Sequence, residues 1–183
     1  MEHRALQEEE QVILAEQYTN RTNRALSFAR IQLKQLEQAA ESGGWSQELE
    51  VSAFEAGIAF HLAVALHAYR REIAERYSLP TETIDTLEDL IAAQQTQGQS
   101  TSEATEFEVL AETPDSWLNQ LQQRYAQCWG AKPSKPSRSS GSSEISLVQI
   151  EPGRAAAPEL SLSTLYSELY SLISRQRAAM QEW

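Results

Sequence analysis

Between Ala56 and Tyr69 the chain reads AGIAFHLAVALHAY, and apart from His61, His67 and the hydroxyl of Tyr69 every side chain in it is apolar. The run sits inside a longer pattern with a helical period. Phe54, Ile58, Leu62, Leu66, Tyr69, Ile73 and Tyr77 recur at steps of four or three and mark one face, while Phe60, Val64 and His67 fall on nearly the opposite face. A surface helix needs a single apolar stripe, so a helix that is apolar on both sides has to be covered on both sides. The middle of a helical bundle meets that demand, and so does a bundle completed partly by another protein chain.

The rest of the composition agrees with helices. Gln, Glu, Ala, Ser and Leu dominate the 183 residues, glycine occurs seven times, and the 41% hydrophobic content is enough for a core. The expected fold is all-α: an antiparallel bundle of four to five helices with a long central helix, a disordered linker and a C-terminal helix packing back. Residues 1–17 read as an acidic N-terminal extension and residues 18–129 as the bundle core. Residues 130–144, GAKPSKPSRSSGSSE, have no apolar side chain larger than alanine to offset the entropy of ordering, and read as a linker. Residues 145–183 hold the extended segment ISLVQI and the closing helix.

Within the core, Leu26, Ala29, Leu33, Leu36 and Ala40 space out a helix from Tyr18 to Glu41. Ser42, Gly43 and Gly44 end it, and Ser46 is suited to cap a second helix from about Gln47 to Tyr77, which must stop before Leu79-Pro80. Ile84, Leu87, Leu90 and Ile91 mark a third helix, residues 103–111 a small fourth, and Thr113-Pro114 the expected start of a fifth carrying Leu118, Leu121, Tyr125 and Cys128. The last helix, about Ser161 to Gln181, presents Leu162, Leu165, Leu169, Leu172, Ile173 and Met180, with Arg175 and Arg177 near the negative end of its dipole.

Charge narrows the function classes. Fifteen Lys plus Arg against 26 Asp plus Glu give a net charge of −11, and nine carboxylates against one cation, Arg124, fall between Thr81 and Trp129. Phosphate backbones and anionic lipid surfaces require clustered cations, so neither nucleic acid nor a membrane is an expected partner. The opening MEHRALQEEEQVILAEQ lacks the positive start of a secretory signal, and the longest charge-free apolar stretch is short of the ~18–20 residues of a bilayer span. With Cys128 as the single cysteine, these features point to a cytoplasmic protein.

Several segments together resemble a known family. They are YTNRTNRALSFAR from Tyr18 to Arg30, AFHL from Ala59 to Leu62, YRREIA from Tyr69 to Ala74, Ser116-Trp117-Leu118, and the closing Met180-Gln181-Glu182-Trp183. They are similar to an uncharacterised family of small helical proteins from Gammaproteobacteria, a domain of unknown function sometimes labelled PasA-like. The resemblance runs from Tyr18 to the C-terminus and implies a bacterial cytoplasmic protein. It carries no activity, cofactor or catalytic residue to any position.

Two histidines on one apolar helix invite a metal or catalytic role, but six residues at ~100° each set His61 and His67 about 120° apart, too far round to chelate one ion as an i, i+4 pair does. No Glu-x-x-His and no Arg with a His four to six residues downstream occurs. Neither a metal nor a cofactor is expected, and no residue qualifies as catalytic. The simplest role for both imidazoles is structural, satisfied by a neighbouring carboxylate or carbonyl.

Two polar clusters are candidate sites: His61, His67, Arg70, Arg71 and Glu72 on the central helix, and Tyr18, Asn20 and Asn23 at the start of the first, where Asn23 suits a buried, register-fixing hydrogen bond. The cations of that helix, Arg21, Arg24, Arg30 and Lys34, do not form one stripe. Trp45, Trp117, Trp129 and Trp183 lie near helix ends, where anchoring on the core is the expected role. The residues favour a protein that acts through a protein partner or self-association, with an enzyme or small-ligand-binding domain built on the central-helix cluster as the alternative.

Overall fold

A computed structural model describes residues 17–130 and 158–181, and among these residues there are six α-helices, one 3₁₀ turn and no strand. Residues 1–16, 131–157 and 182–183 lie outside the described residues. All but Gln17 of the expected acidic extension, all but Gly130 of the expected linker, and ISLVQI therefore fall there. The helices are α1 (Gln17–Glu41), α2 (Gln47–Arg76), α3 (Leu87–Thr96), α4 (Ser102–Glu112), α5 (Trp117–Gln127) and α6 (Leu162–Gln181), with the 3₁₀ turn at Thr81–Thr83.

The first two helices form the expected antiparallel hairpin. Gly43, at φ +60°, supplies the left-handed residue that lets the chain reverse. Ser46 precedes α2 but does not cap it with its side chain; its hydroxyl instead donates to the Glu50 carboxylate at 2.5 Å. Near the middle of the hairpin the Gln32 amide lies so close over Gly57 that a Cβ there would sit 2.6 Å from Gln32 Oε1. Gly57 is thus where α1 comes down onto α2.

One face of α2 is the axis of the core. Ile58, Leu62, Leu66, Tyr69 and Ile73 are buried together with Ala25, Leu26 and Ala29 of α1, Leu87 and Leu90 of α3, Phe107 of α4, Leu118 and Leu121 of α5, and Leu162, Leu165, Leu169, Leu172, Ile173 and Met180 of α6. All six helices thus share one cluster. The other face is a departure from expectation, because it is not fully covered. Phe60 is 43% exposed, and Val64 and His67 are half-buried.

Several boundaries differ from those the sequence suggests, each for a local reason. Ile84 is buried in the loop before α3 and not in the helix; α3 starts at Leu87 because Thr86 and Asp89 close a capping box, the Thr86 hydroxyl accepting from the Asp89 amide and the Asp89 carboxylate accepting from the Thr86 amide. Thr113 ends α4 instead of starting α5. Its hydroxyl donates back to Val109 O, the chain turns through Asp115 at φ +63°, and Ser116 caps α5 by accepting from the Asn119 amide. Arg175 and Arg177 do not address the end of their own helix but reach carboxylates on α4 and α2.

A polar network crosses the bundle where those arginines reach. Arg177 grips Glu72 of α2 with two parallel bonds, Nε to Oε1 at 2.6 Å and Nη2 to Oε2 at 2.8 Å, and donates a third to Asn23 Oδ1 of α1 at 2.8 Å. Beside it the buried Tyr69 hydroxyl donates to Gln176 Oε1, and Gln176 Nε2 donates to Glu106 of α4, which also binds Arg175. Burial and the nearby Glu72 carboxylate push the Tyr69 phenol far above its ordinary range, so it stays a donor at any working pH. The Glu72 side chain is 9% exposed and that of Arg177 24%.

A carboxylate in that position left without its guanidinium is costly. Arg177→Met should destabilise the fold by about 2–3 kcal/mol, the lower part of the range for breaking a buried pair because Arg177 keeps some solvent. Glu72→Gln combined with Arg177→Met should recover part of that loss in a urea-unfolding cycle; strictly additive losses would show that the pair is not coupled.

Candidate functional site

The uncovered side of α2 faces the same side of α1, and between them runs an open groove of about 440 Å³. Tyr18, Arg21, Arg24, Ala25 and Phe28 of α1 line it at helical spacing, opposite Phe60, His61, Val64, His67, Ala68 and Arg71 of α2. The floor is apolar and aromatic. His61 lies edge-on between Phe28 and Phe60, with ring centroids 5.2 and 5.4 Å away.

The cations sit on this floor. The Arg24 guanidinium lies 5.4 Å from the centre of the Phe28 ring, and that of Arg71 lies 5.9 Å from the centre of Tyr18. Arg71 is held in place by the loop before α3, its Nε donating to Ile84 O at 2.9 Å and its Nη2 to Asp85 Oδ1 at 2.7 Å. Asp85 offsets much of its charge. Among the described residues no carboxylate lines the groove to offset Arg21 and Arg24. On a chain of net charge −11 this is a local reversal of sign.

Beyond Phe60 the aromatic surface continues onto α5. Phe60 and Tyr125 have centroids 6.3 Å apart, and Tyr125 and Trp129 6.1 Å apart, with Trp129 72% exposed. The anchoring expected of the tryptophans holds for Trp117, which packs against the core, but not for Trp129 or the fully exposed Trp45. Trp183 lies outside the described residues.

The five residues singled out on the central helix do not converge. His61, His67 and Arg71 line the groove, Arg70 is buried beside them with its Nη1 3.4 Å from Asp85 O, and Glu72 lies outside the lining, where it meets Arg177. Of the second cluster, Tyr18 is buried at the head of the groove. Asn20 and Asn23 are exposed, and the hydrogen bond of Asn23 is a surface one to Arg177, so it does not fix register from inside the core. Thr22, unremarked in the sequence, is the buried polar residue there, its hydroxyl donating to Tyr18 O one turn back. Arg21 and Arg24 were set aside in the sequence because, taken with Arg30 and Lys34, they do not form one stripe. Their i, i+3 spacing and the i+4 step to Phe28 were the available signal.

His67 finds the carbonyl of Asp85 at 3.3 Å, whereas His61 has aromatic neighbours. Burial holds both imidazoles below the usual histidine range, and the Arg71 charge adds to the effect at His67. Both are therefore mainly neutral at pH 7. Among the described residues no group of three or more His, Cys, Asp or Glu side chains is arranged to hold a metal. Arginines over aromatic rings with neutral imidazoles between them can hold an anion that carries an apolar part; a nucleophile paired with a general base is not part of the lining.

Fold and groove together define a small helical-bundle protein with a cation- and aromatic-lined cleft. Comparison with known proteins places it more closely: the chain belongs to a family of unknown function, DUF6586, whose model matches residues 17–183. Every groove residue falls within the matched part. No curated protein and no solved structure matches the chain.

Because both histidines titrate below their ordinary value of 6.5, the unfolded chain takes up protons that the folded chain refuses as the pH falls through that value. Their contribution is present in full above 6.5, declines as the pH drops below it, and levels off beneath the folded-state values. The melting temperature should accordingly fall between about pH 7.5 and 5.5, and less steeply in the double variant His61→Gln, His67→Gln. Equal slopes in the parent and the variant would contradict the assignment.

Proposed function

We propose that the protein is a cytoplasmic, non-catalytic binding module that takes an acidic, apolar segment of a protein partner into the groove between α1 and α2. One observation carries the proposal: Arg24 stands over the Phe28 ring and Arg21 lines the same groove one turn away, with no carboxylate among the described lining residues, on a chain that is otherwise strongly acidic. The guanidiniums would pair with carboxylates of the segment. Phe28, Phe60 and Val64 would receive its apolar side chains, and the run through Tyr125 to Trp129 would extend the contact.

The partial covering of α2 supports the same role. By length and composition alone this helix would pass as a membrane span, with an 18-residue window of mean hydropathy 1.5, yet only 28% of that window is buried. The buried part is explained by the bundle. The remainder, including Phe60 and the exposed Leu49, is apolar surface that a partner would cover. The central-helix cluster gives less support to an enzyme, since Glu72 is committed to Arg177 outside the groove lining.

Placing the photo-crosslinking residue p-benzoylphenylalanine at position 60 in the source cell tests this. Irradiation should join the protein to a segment rich in Glu or Asp and apolar residues, and Arg21→Glu with Arg24→Glu should abolish the adduct. The same residue at position 45 should give none of it. Adducts that are mainly lipid, or that are indifferent to the charge reversal, would overturn the proposal.

A further inference from the structure

We propose that the chain carries its own occupant for this groove: the segment Glu8 to Leu14, EEEQVIL, docks in cis over Arg21, Arg24 and Phe28 and competes with the partner. The inference rests on the groove being a site for acidic, apolar segments, and adds how that site is regulated.

Three observations carry it. The first is chemistry: residues 1–16 contain five carboxylates and one arginine, and Glu8, Glu9 and Glu10 are followed, after Gln11, by Val12, Ile13 and Leu14. That is the complement of a lining with cations above and aromatic carbon beneath. The second is position. The described structure begins at Gln17, and the next residue, Tyr18, is itself part of the lining, so the segment is tethered at the head of the groove. The third is reach. From Tyr18 to Phe28 the groove follows α1 for roughly 15 Å at 1.5 Å per residue. A four-residue turn from Leu14 to Gln17 leaves Glu8 to Leu14, which can span up to ~23 Å, to run back along it.

Tethering changes what affinity is needed. A short tether gives an effective concentration on the order of millimolar, so a groove that holds a free acidic peptide only weakly would still be filled by its own segment. The partner then binds by displacing it, and its apparent affinity falls by the fraction of chains that are closed. Screening by salt would open the groove, because the pairs lie at the surface.

Hydrogen exchange on the full-length chain, read by mass spectrometry over residues 8–14, tests this directly. In the parent these amides should exchange roughly tenfold or more slowly than in an unprotected peptide. Arg21→Glu with Arg24→Glu should remove the protection, and adding Glu8→Lys, Glu9→Lys and Glu10→Lys to that variant should restore it. Unprotected exchange in the parent, or protection indifferent to Arg21→Glu with Arg24→Glu, would overturn the proposal. So would protection that grows with protein concentration, which would mean docking between two copies.

A synthetic peptide of residues 6–16, titrated onto the full-length Glu8→Lys, Glu9→Lys, Glu10→Lys chain, separates this inference from the one beneath it. Binding of that peptide with no protection in the parent defeats the cis docking alone. Absence of both defeats the groove as a site for acidic segments.

Discussion

A helix whose middle, from Ala56 to Tyr69, is apolar on both faces is held in water only by what covers it, and the bundle is an answer to that constraint on α2. One face is covered by every other helix. Ile58, Leu62, Tyr69 and Ile73 are sealed by α1, α3, α4, α5 and α6 into a single cluster. The opposite face, with Phe60, His61, Val64 and His67, is left as the wall of a groove. The two sides of one helix thus differ in kind, one closed into the core and the other open.

Charge is distributed to match. On the closed side, Glu72 and Arg177 meet in a paired, hydrogen-bonded geometry that a low-exposure site requires, and Tyr69, Gln176 and Glu106 continue the network from α2 to α4. On the open side, Arg21 and Arg24 meet no carboxylate in the lining. The protein's acidity elsewhere would repel an anionic segment, so the groove is where such a segment gains rather than loses by approaching.

Much of the fold was legible in the sequence because it follows from period and punctuation. The stripe Leu162, Leu165, Leu169, Leu172, Ile173 marks α6, and Gly43 with Ser42 marks the hairpin turn; both are local signals, and both elements are found there. The start of α5 was misplaced because Thr113-Pro114 and Ser116 are both plausible caps, and the choice is made by Asp115 at φ +63° and by the Ser116 hydroxyl, which binds both Leu110 O and the Asn119 amide. The site was half legible. His61, His67, Arg71 and Tyr18 were marked by type, but residues from two helices become a lining only when the antiparallel hairpin sets Phe28 beside His61 and Tyr18 beside Arg71. Glu72 was grouped with them because helical phase sets it only about 20° from His61, three turns on. Arg177, 105 residues away, is what claims it.

The central claim is that α6 closes the inner face of α2, through Tyr69–Gln176 and Glu72–Arg177, into one cooperative unit. Native-state hydrogen exchange in graded urea, followed by NMR, measures it most directly. The account predicts that amides of α2 from Leu66 to Ile73 and of α6 from Leu169 to Ile173 open together, at the free energy of global unfolding. Opening of the α6 amides at a distinctly lower free energy, with α2 still protected, would contradict it.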